Sequence, residues 1–224
     1  SRANAWLPVP GWTGEHEWER FIPFQEMPRS HNPETGYIVT ANQRVVGEEY
    51  PHFIALDYYP EFRARRITMR LNALDKATPE DMAKIHSERV SIPAQRYIEL
   101  MRTLKPREQR PQRALAILSS WDGDMSSDSV AATIYSSFRL HLDLEILKYL
   151  LGPLFEEALK ETGRGGATHI GRLRSYFLEL LEKGDSSLLP KGINWASMME
   201  KALTDSITEL QSRLGDDLDG WRWG

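Results

Sequence analysis

The chain carries six histidines, His16, His31, His52, His86, His141 and His169, and no two of them stand four residues apart. With no His-Glu-x-x-His either, the helical spacing that sets two imidazoles on one zinc ion is missing, and no metal site is expected here. Asp122, Gly123, Asp124, Ser126 and Asp128 alternate oxygen groups as a calcium loop begins, but Ser127 and Thr133 occupy the places where such a loop needs glycine and a closing Glu. A turn followed by a helix N-cap is the better reading. Gly163-Arg164-Gly165-Gly166 lies between helical patterns and follows no strand, so it reads as an inter-helix loop and not as a phosphate cradle. Arg63, Arg65, Arg66 and Arg70 can grip a carboxylate through their forked donors, or form a solvated face beside Glu61. Trp6, Trp12 and Trp18 fit an aromatic-binding face, but core anchors are the favoured reading in a loop-rich segment. Asn42 closes an apolar run, and taken alone it reads as a turn residue ending a strand.

The elements that must position these groups change character along the chain. Residues 1–60 are dense in proline and aromatic residues, which excludes long helices and predicts turns and short strands. Gly36-Tyr37-Ile38-Val39-Thr40-Ala41 and Phe53 to Leu56 are the strand candidates, joined as a hairpin by a loop around Gly47. After Pro60, Ile67, Arg70, Leu71 and Leu74 fall at helical spacing. Thr78-Pro79-Glu80-Asp81 has the cap, the N1 proline and the early acids of a helix start. Further helices are predicted near 108–119, 128–150, 153–161, 169–182 and 195–214. In the last of these Met199, Leu203, Ile207, Leu210 and Leu214 form a stripe between a capping Asn194 and a terminating Gly215. The fold class expected is α+β, with a strand-and-loop segment at 1–60, a helical segment at 61–214, and a return strand or tail at 215–224.

Composition bounds the partners. The 224 residues are 41% hydrophobic and 27% charged with a formal net charge of −4, and acids and bases are interspersed. No basic footprint for nucleic acid is present, and no apolar run approaches the roughly 20 residues a bilayer requires. With no cysteine, thiolate chemistry is excluded while the compartment stays open.

An ordered series of motifs resembles the middle of the β chain of the penicillin acylase family of N-terminal-nucleophile hydrolases. Leu7-Pro8-Val9-Pro10-Gly11-Trp12-Thr13-Gly14, Glu17-Trp18, Phe21-Ile22-Pro23-Phe24 and Met27-Pro28 are similar to its proline-glycine-tryptophan loop and the stretch that follows. Asn32-Pro33-Glu34-Thr35-Gly36-Tyr37-Ile38-Val39-Thr40-Ala41-Asn42-Gln43 resembles the family's GYI and TANN run, with Gln43 in place of a second Asn. Phe62-Arg63-Ala64-Arg65-Arg66-Ile67 is similar to the arginine-rich element that opens a helix. Trp121-Asp122-Gly123, Asp128-Ser129-Val130-Ala131-Ala132 and Trp221-Arg222-Trp223-Gly224 match later marks.

The resemblance implies an αββα sandwich to which the first segment contributes. It also implies hydrolysis of linear amides such as the penicillin side chain or an acyl-homoserine lactone, by a Ser that begins the β chain. The free α-amine of that Ser, with a pKa of roughly 8, serves as base. In the family an Asn at the strand end donates to the oxyanion and an arginine beyond the hairpin orients the machinery; these roles fall on Asn42 and Arg63. Ser1 is not taken as the nucleophile, because Ser1-Arg2-Ala3-Asn4 leads straight into the mid-chain loop and not into Ser-Asn-x-Trp. The nucleophile is therefore expected outside this chain, with an α subunit and other β-chain segments of the same precursor as partners. Calcium is possible in the full enzyme, held by acids elsewhere; Asp57 is not expected to be a ligand. A periplasmic or extracellular setting is what the resemblance suggests. The rival reading from another class is a non-catalytic helical interaction module.

Overall fold

The computed structural model describes residues 8–17, 20–55, 57–160 and 166–223, so Ser1, Trp6, Trp18, Leu56, Gly163 to Gly165 and Gly224 lie outside the described residues. The described chain is mainly helical and divides into two compact units, Ser1–Ile85 and His86–Gly224.

The first unit is turns and loops up to α1 (Phe62–Asn72), followed by α2 (Pro79–His86). At α2 the side chain of Thr78 accepts from the backbone N–H of Asp81 (3.2 Å), while the Asp81 carboxylate accepts from the Thr78 hydroxyl (2.7 Å) and amide (3.1 Å). This reciprocal cap satisfies amides that a helix start leaves orphaned, and the Thr78 donors hold the Asp81 carboxyl below its ordinary pKa. The hydrophobic residues buried in this unit are Ala41 and Ala64 among those described, while Trp12, Phe21 and Phe24 are largely exposed. Trp12 is thus no core anchor among the described residues of this unit, which bury no large apolar side chain against which an indole could pack.

The strands expected at Gly36–Ala41 and, as far as residues 53–55 are described, at the second candidate are not formed: among the described residues the one β pairing is an isolated bridge between Val90 and Asp124. A strand exists only through a partner's N–H and C=O groups. The two segments do not supply each other with a ladder; the return is closed instead by a single bond from the Tyr59 N–H to the Asn42 carbonyl, 2.9 Å.

The second unit holds the core. Its helices are α3 (Ile92–Met101), α4 (Gln109–Ser119), α5 (Val130–Leu151), α6 (Phe155–Lys160), α7 (Gly166–Lys183) and α8 (Trp195–Leu214). The central helix, α5, buries Ala132, Ile134, Phe138, Leu142 and Ile146 and packs most extensively against α8, with α4 also against it. On α8 the expected stripe points inward at Met199, Leu203, Ile207 and Leu210, and Leu214 at its end is half exposed. Each fully buried Leu or Ile contributes about 1.5–3 kcal/mol, so this helix pair dominates the unit's stability. Asn194 and Ser197 form a capping box at the start of α8, and Gly215, at φ +89°, ends it. No described helix is long and apolar enough to cross a membrane.

The Trp121-Asp122-Gly123-Asp124 stretch is a turn and Ser129 the N-cap of α5: Asp122 Oδ1 accepts from the Asp124 amide (2.9 Å), and the Ser129 hydroxyl accepts from the Ala132 amide (3.1 Å). Gly123 sits at φ +90° against α3, where an added Cβ would stand 3.1 Å from the Ser91 carbonyl. Trp221 is buried and its indole N–H donates to the Gly215 carbonyl (3.1 Å), while the Trp223 amide donates to the Ser127 carbonyl (2.9 Å). These motifs therefore shape the helical unit.

Candidate active site

The run that leads to Asn42 is held from both ends. At its start the Gly36 amide donates to the Pro33 carbonyl (2.9 Å), and the Tyr37 hydroxyl reaches Asn72 Oδ1 at the end of α1 (2.6 Å). At its end Ala41 is buried and Asn42 turns out of line with φ +65°. Side chains rarely adopt that left-handed conformation, although Asn does so more readily than most, and the surroundings must over-determine it.

Arg63, in the first turn of α1, supplies part of that determination. Its Nη2 donates to the Ala41 carbonyl (2.8 Å) and to Asn42 Oδ1 (2.6 Å), and its guanidinium lies 5.8 Å from the centroid of the Tyr59 ring. The same Tyr59 gives its amide to the Asn42 carbonyl. Two residues 21 apart in sequence, singled out as a pair from the motifs, are thus in direct contact.

The contact also fixes the Asn42 amide. A guanidinium has only donors, so the carboxamide oxygen must face it and the NH₂ group must point away. Among the described residues Asn42 Nδ2 has no acceptor, and the side chain is exposed. What the geometry offers is a neutral N–H donor, locked against rotation by a charge-assisted bond and open to whatever approaches.

Gln43 was not anticipated as part of this arrangement. Its Oε1 accepts from the Ala41 amide (2.6 Å) and its Nε2 donates to the Val39 carbonyl (3.1 Å), so it braces the segment that ends in Asn42. The available signal was its departure from the Asn of the motif. Of the other arginines in the cluster, Arg65 is exposed and lines a shallow groove with Gln43, Arg44, Glu61 and Met69. No three His, Asp or Glu residues are grouped to hold a metal ion among the described residues, so Asp57 has no ligand set around it there.

A loop-borne Asn held by an arginine is the kind of fixed donor that acyl-transfer enzymes use. The chain belongs to the penicillin amidase family, whose model matches residues 1–224. It is 35% identical over 216 residues to the penicillin acylase 2 proenzyme of a Pseudomonas species, a match covering 95% of this chain and 27% of that protein. Acyl-homoserine lactone acylase QuiP of Pseudomonas aeruginosa is 24% identical over 243 residues, covering 97% and 28% respectively. The Pseudomonas putida protein of the same name is 25% identical over 242 residues. The chain spans under a third of the length of these relatives.

Proposed function

We propose that this chain is the part of an amidohydrolase that supplies the oxyanion donor and its orienting arginine. The whole protein would cleave a linear amide bond of an N-acyl compound, such as the penicillin side chain or an acyl-homoserine lactone. The observation that carries the reading is the Arg63–Asn42 bond, which leaves one amide N–H group fixed and exposed at the end of a braced segment.

In the reaction a Ser at the start of the β chain, on a segment outside this sequence, attacks the acyl carbon through Oγ while its own α-amine takes the proton. The carbonyl oxygen gains negative charge, and Asn42 Nδ2 donates to it together with a backbone N–H from another segment. Such a donor strengthens its bond as charge develops, which is worth about 3 kcal/mol in acyl transfer. Collapse expels the amine, protonated by the same α-amine, and water then releases the acyl group from Oγ by the same route. Arg63 does not touch the reacting atoms. It keeps the Asn42 oxygen turned away from the oxyanion, where it would repel.

The partners are the α subunit and the remaining β-chain segments of one precursor, which fits a relative named as a proenzyme. Strand partners for the groups of residues 36–41 that Gln43 does not engage would come from those segments, completing the sandwich, and the same segments would cover Phe21, Phe24 and Ile38, all more than half exposed. Calcium, where such an enzyme holds it, belongs to them as well.

The test is to express the complete precursor and follow release of free amine from penicillins and N-acyl-homoserine lactones. Cleavage of the precursor into two chains and turnover of at least one such amide are expected. A processed, folded protein that releases amine from no linear N-acyl substrate overturns the proposal.

A further inference from the structure

We propose that Gln43 is a positioning residue for the oxyanion donor, acting by standing in for one residue of a neighbouring strand. The inference rests on the reading of Asn42 as that donor.

In a parallel β ladder, one residue accepts from an N–H on its neighbour and donates to the C=O two residues earlier on the same edge. The Gln43 carboxamide does this with the segment it follows: Oε1 takes the Ala41 amide at 2.6 Å, and Nε2 gives to the Val39 carbonyl at 3.1 Å. The segment has no ladder partner of its own among the described residues. Both groups are part-buried, so leaving either without a partner would be costly.

The geometry requires this brace at Asn42 in particular. Ala41 is gripped on both polar groups, its N–H by Gln43 and its C=O by Arg63 Nη2 at 2.8 Å. The next residue must leave the segment at φ +65°, with its own carbonyl tied to Tyr59 and its side-chain oxygen to Arg63. Four restraints therefore converge on Ala41 and Asn42, and Gln43 supplies the one on the incoming side. Without it the Ala41 N–H loses its partner and Arg63 alone holds the segment from the far side, so the Asn42 Nδ2–H direction is less tightly defined. A donor held within a few tenths of an ångström is what transition-state stabilisation requires. Gln43 is therefore expected to affect kcat through Asn42 and to leave ground-state substrate binding nearly alone.

The experiment is a double-mutant cycle in the complete, processed acylase, with chain cleavage and thermal midpoint measured for each variant. Gln43→Ala removes both bonds; Gln43→Glu keeps the acceptor for the Ala41 amide and opposes the Val39 carbonyl with an oxygen. Both are expected to lower kcat about tenfold with KM changed less than about twofold, a signature of lost transition-state contact. In an Asn42→Ala background, Gln43→Ala is expected to cost almost nothing further. A Gln43→Glu enzyme with wild-type kcat overturns the inference. So does an equal kcat loss from Gln43→Ala in both backgrounds, which would leave the oxyanion reading of Asn42 standing. If Asn42→Ala is itself harmless to kcat, the proposed function fails first, and with it the role of Gln43. Should Gln43→Ala fail to be processed, Gln43→Glu alone decides between these outcomes.

Discussion

Arg63 grips Asn42 through a single nitrogen that also holds the Ala41 carbonyl, so removing the arginine releases both the side-chain amide and the peptide before it. In the complete enzyme Arg63→Met is expected to lower kcat by at least about tenfold, and its effect should not add to that of Asn42→Ala, since residues that act as a unit are strongly non-additive. Kinetics of the two single variants and the double variant check this, and full additivity would mean that Arg63 acts elsewhere. Asn42→Asp separates fold from chemistry. The carboxylate keeps the shape and pairs with Arg63 more strongly, but it places an oxygen where the donor was. The thermal midpoint should hold while turnover falls at least as far as with Ala. The pairing of these two residues was legible only through the ordered motifs, because an Asn closing an apolar run and an Arg in a basic cluster are individually unremarkable. Gln43 was not legible: nothing in its type says that its amide will fold back on Val39 and Ala41, a contact that exists only once the loop has closed.

Elements whose signals are local came through the sequence best. The span 195–214 and its cap at Asn194 are those of α8, because the stripe, the cap and Gly215 all lie within the helix itself. Asn194→Ala should therefore cost about 1 kcal/mol of stability in urea unfolding, the usual worth of such a cap. Helix α3 was not singled out, although Ser91 caps it by accepting from the Ala94 amide (3.2 Å) and Pro93 sits in its first turn. At Gly166 the opposite happened, as α7 begins inside what reads as a loop. The strand candidates failed for a different reason: β-branched and aromatic residues give a segment the capacity to pair, and among the described residues no ladder partner meets it. On α3, Tyr97 is fully buried with no hydrogen-bond partner for its hydroxyl among the described residues, and burial, the larger cause, together with the nearby Asp143 charge pushes its phenol well above the ordinary value of 10.0. In the unfolded chain that phenol ionises near 10.0, while in the fold it stays neutral. Its contribution is therefore intact below that pH and is lost as pH rises from there towards the folded value. Tyr97→Phe should be neutral or stabilising at pH 7 and should flatten the loss of stability above pH 10, read from thermal midpoints across an alkaline series. A large destabilisation at neutral pH would show that the hydroxyl has a partner after all.

At the scale of the whole molecule the two units differ in what holds them. Of the buried apolar side chains among the described residues, nearly all lie in residues 86–224, from Ala94 to Trp221, whereas the described part of 1–85 buries Ala41 and Ala64. Phe138, fully buried on α5, should cost about 3–5 kcal/mol when cut to Ala, enough to threaten the helical unit on its own. The unit that carries Asn42 and Arg63 is held instead, among its described residues, largely by hydrogen bonds such as those of Arg63, Gln43 and Tyr59. Assayed as an isolated 224-residue chain, the protein is expected to turn over no N-acyl amide, and Ser1→Ala should change nothing. Turnover that Ser1→Ala abolishes would make Ser1 the nucleophile, and turnover that survives it would place the chemistry on another residue.

The most direct measurement is kcat of the complete, correctly processed enzyme carrying Asn42→Ala, on an N-acyl amide that the wild type hydrolyses. A fall of about 10² to 10³ with KM little changed is predicted, the scale for one oxyanion donor in acyl transfer. A variant that is processed and folded and still retains more than about a tenth of wild-type kcat would contradict the account, leaving Asn42 as a turn residue that Arg63 merely holds in place.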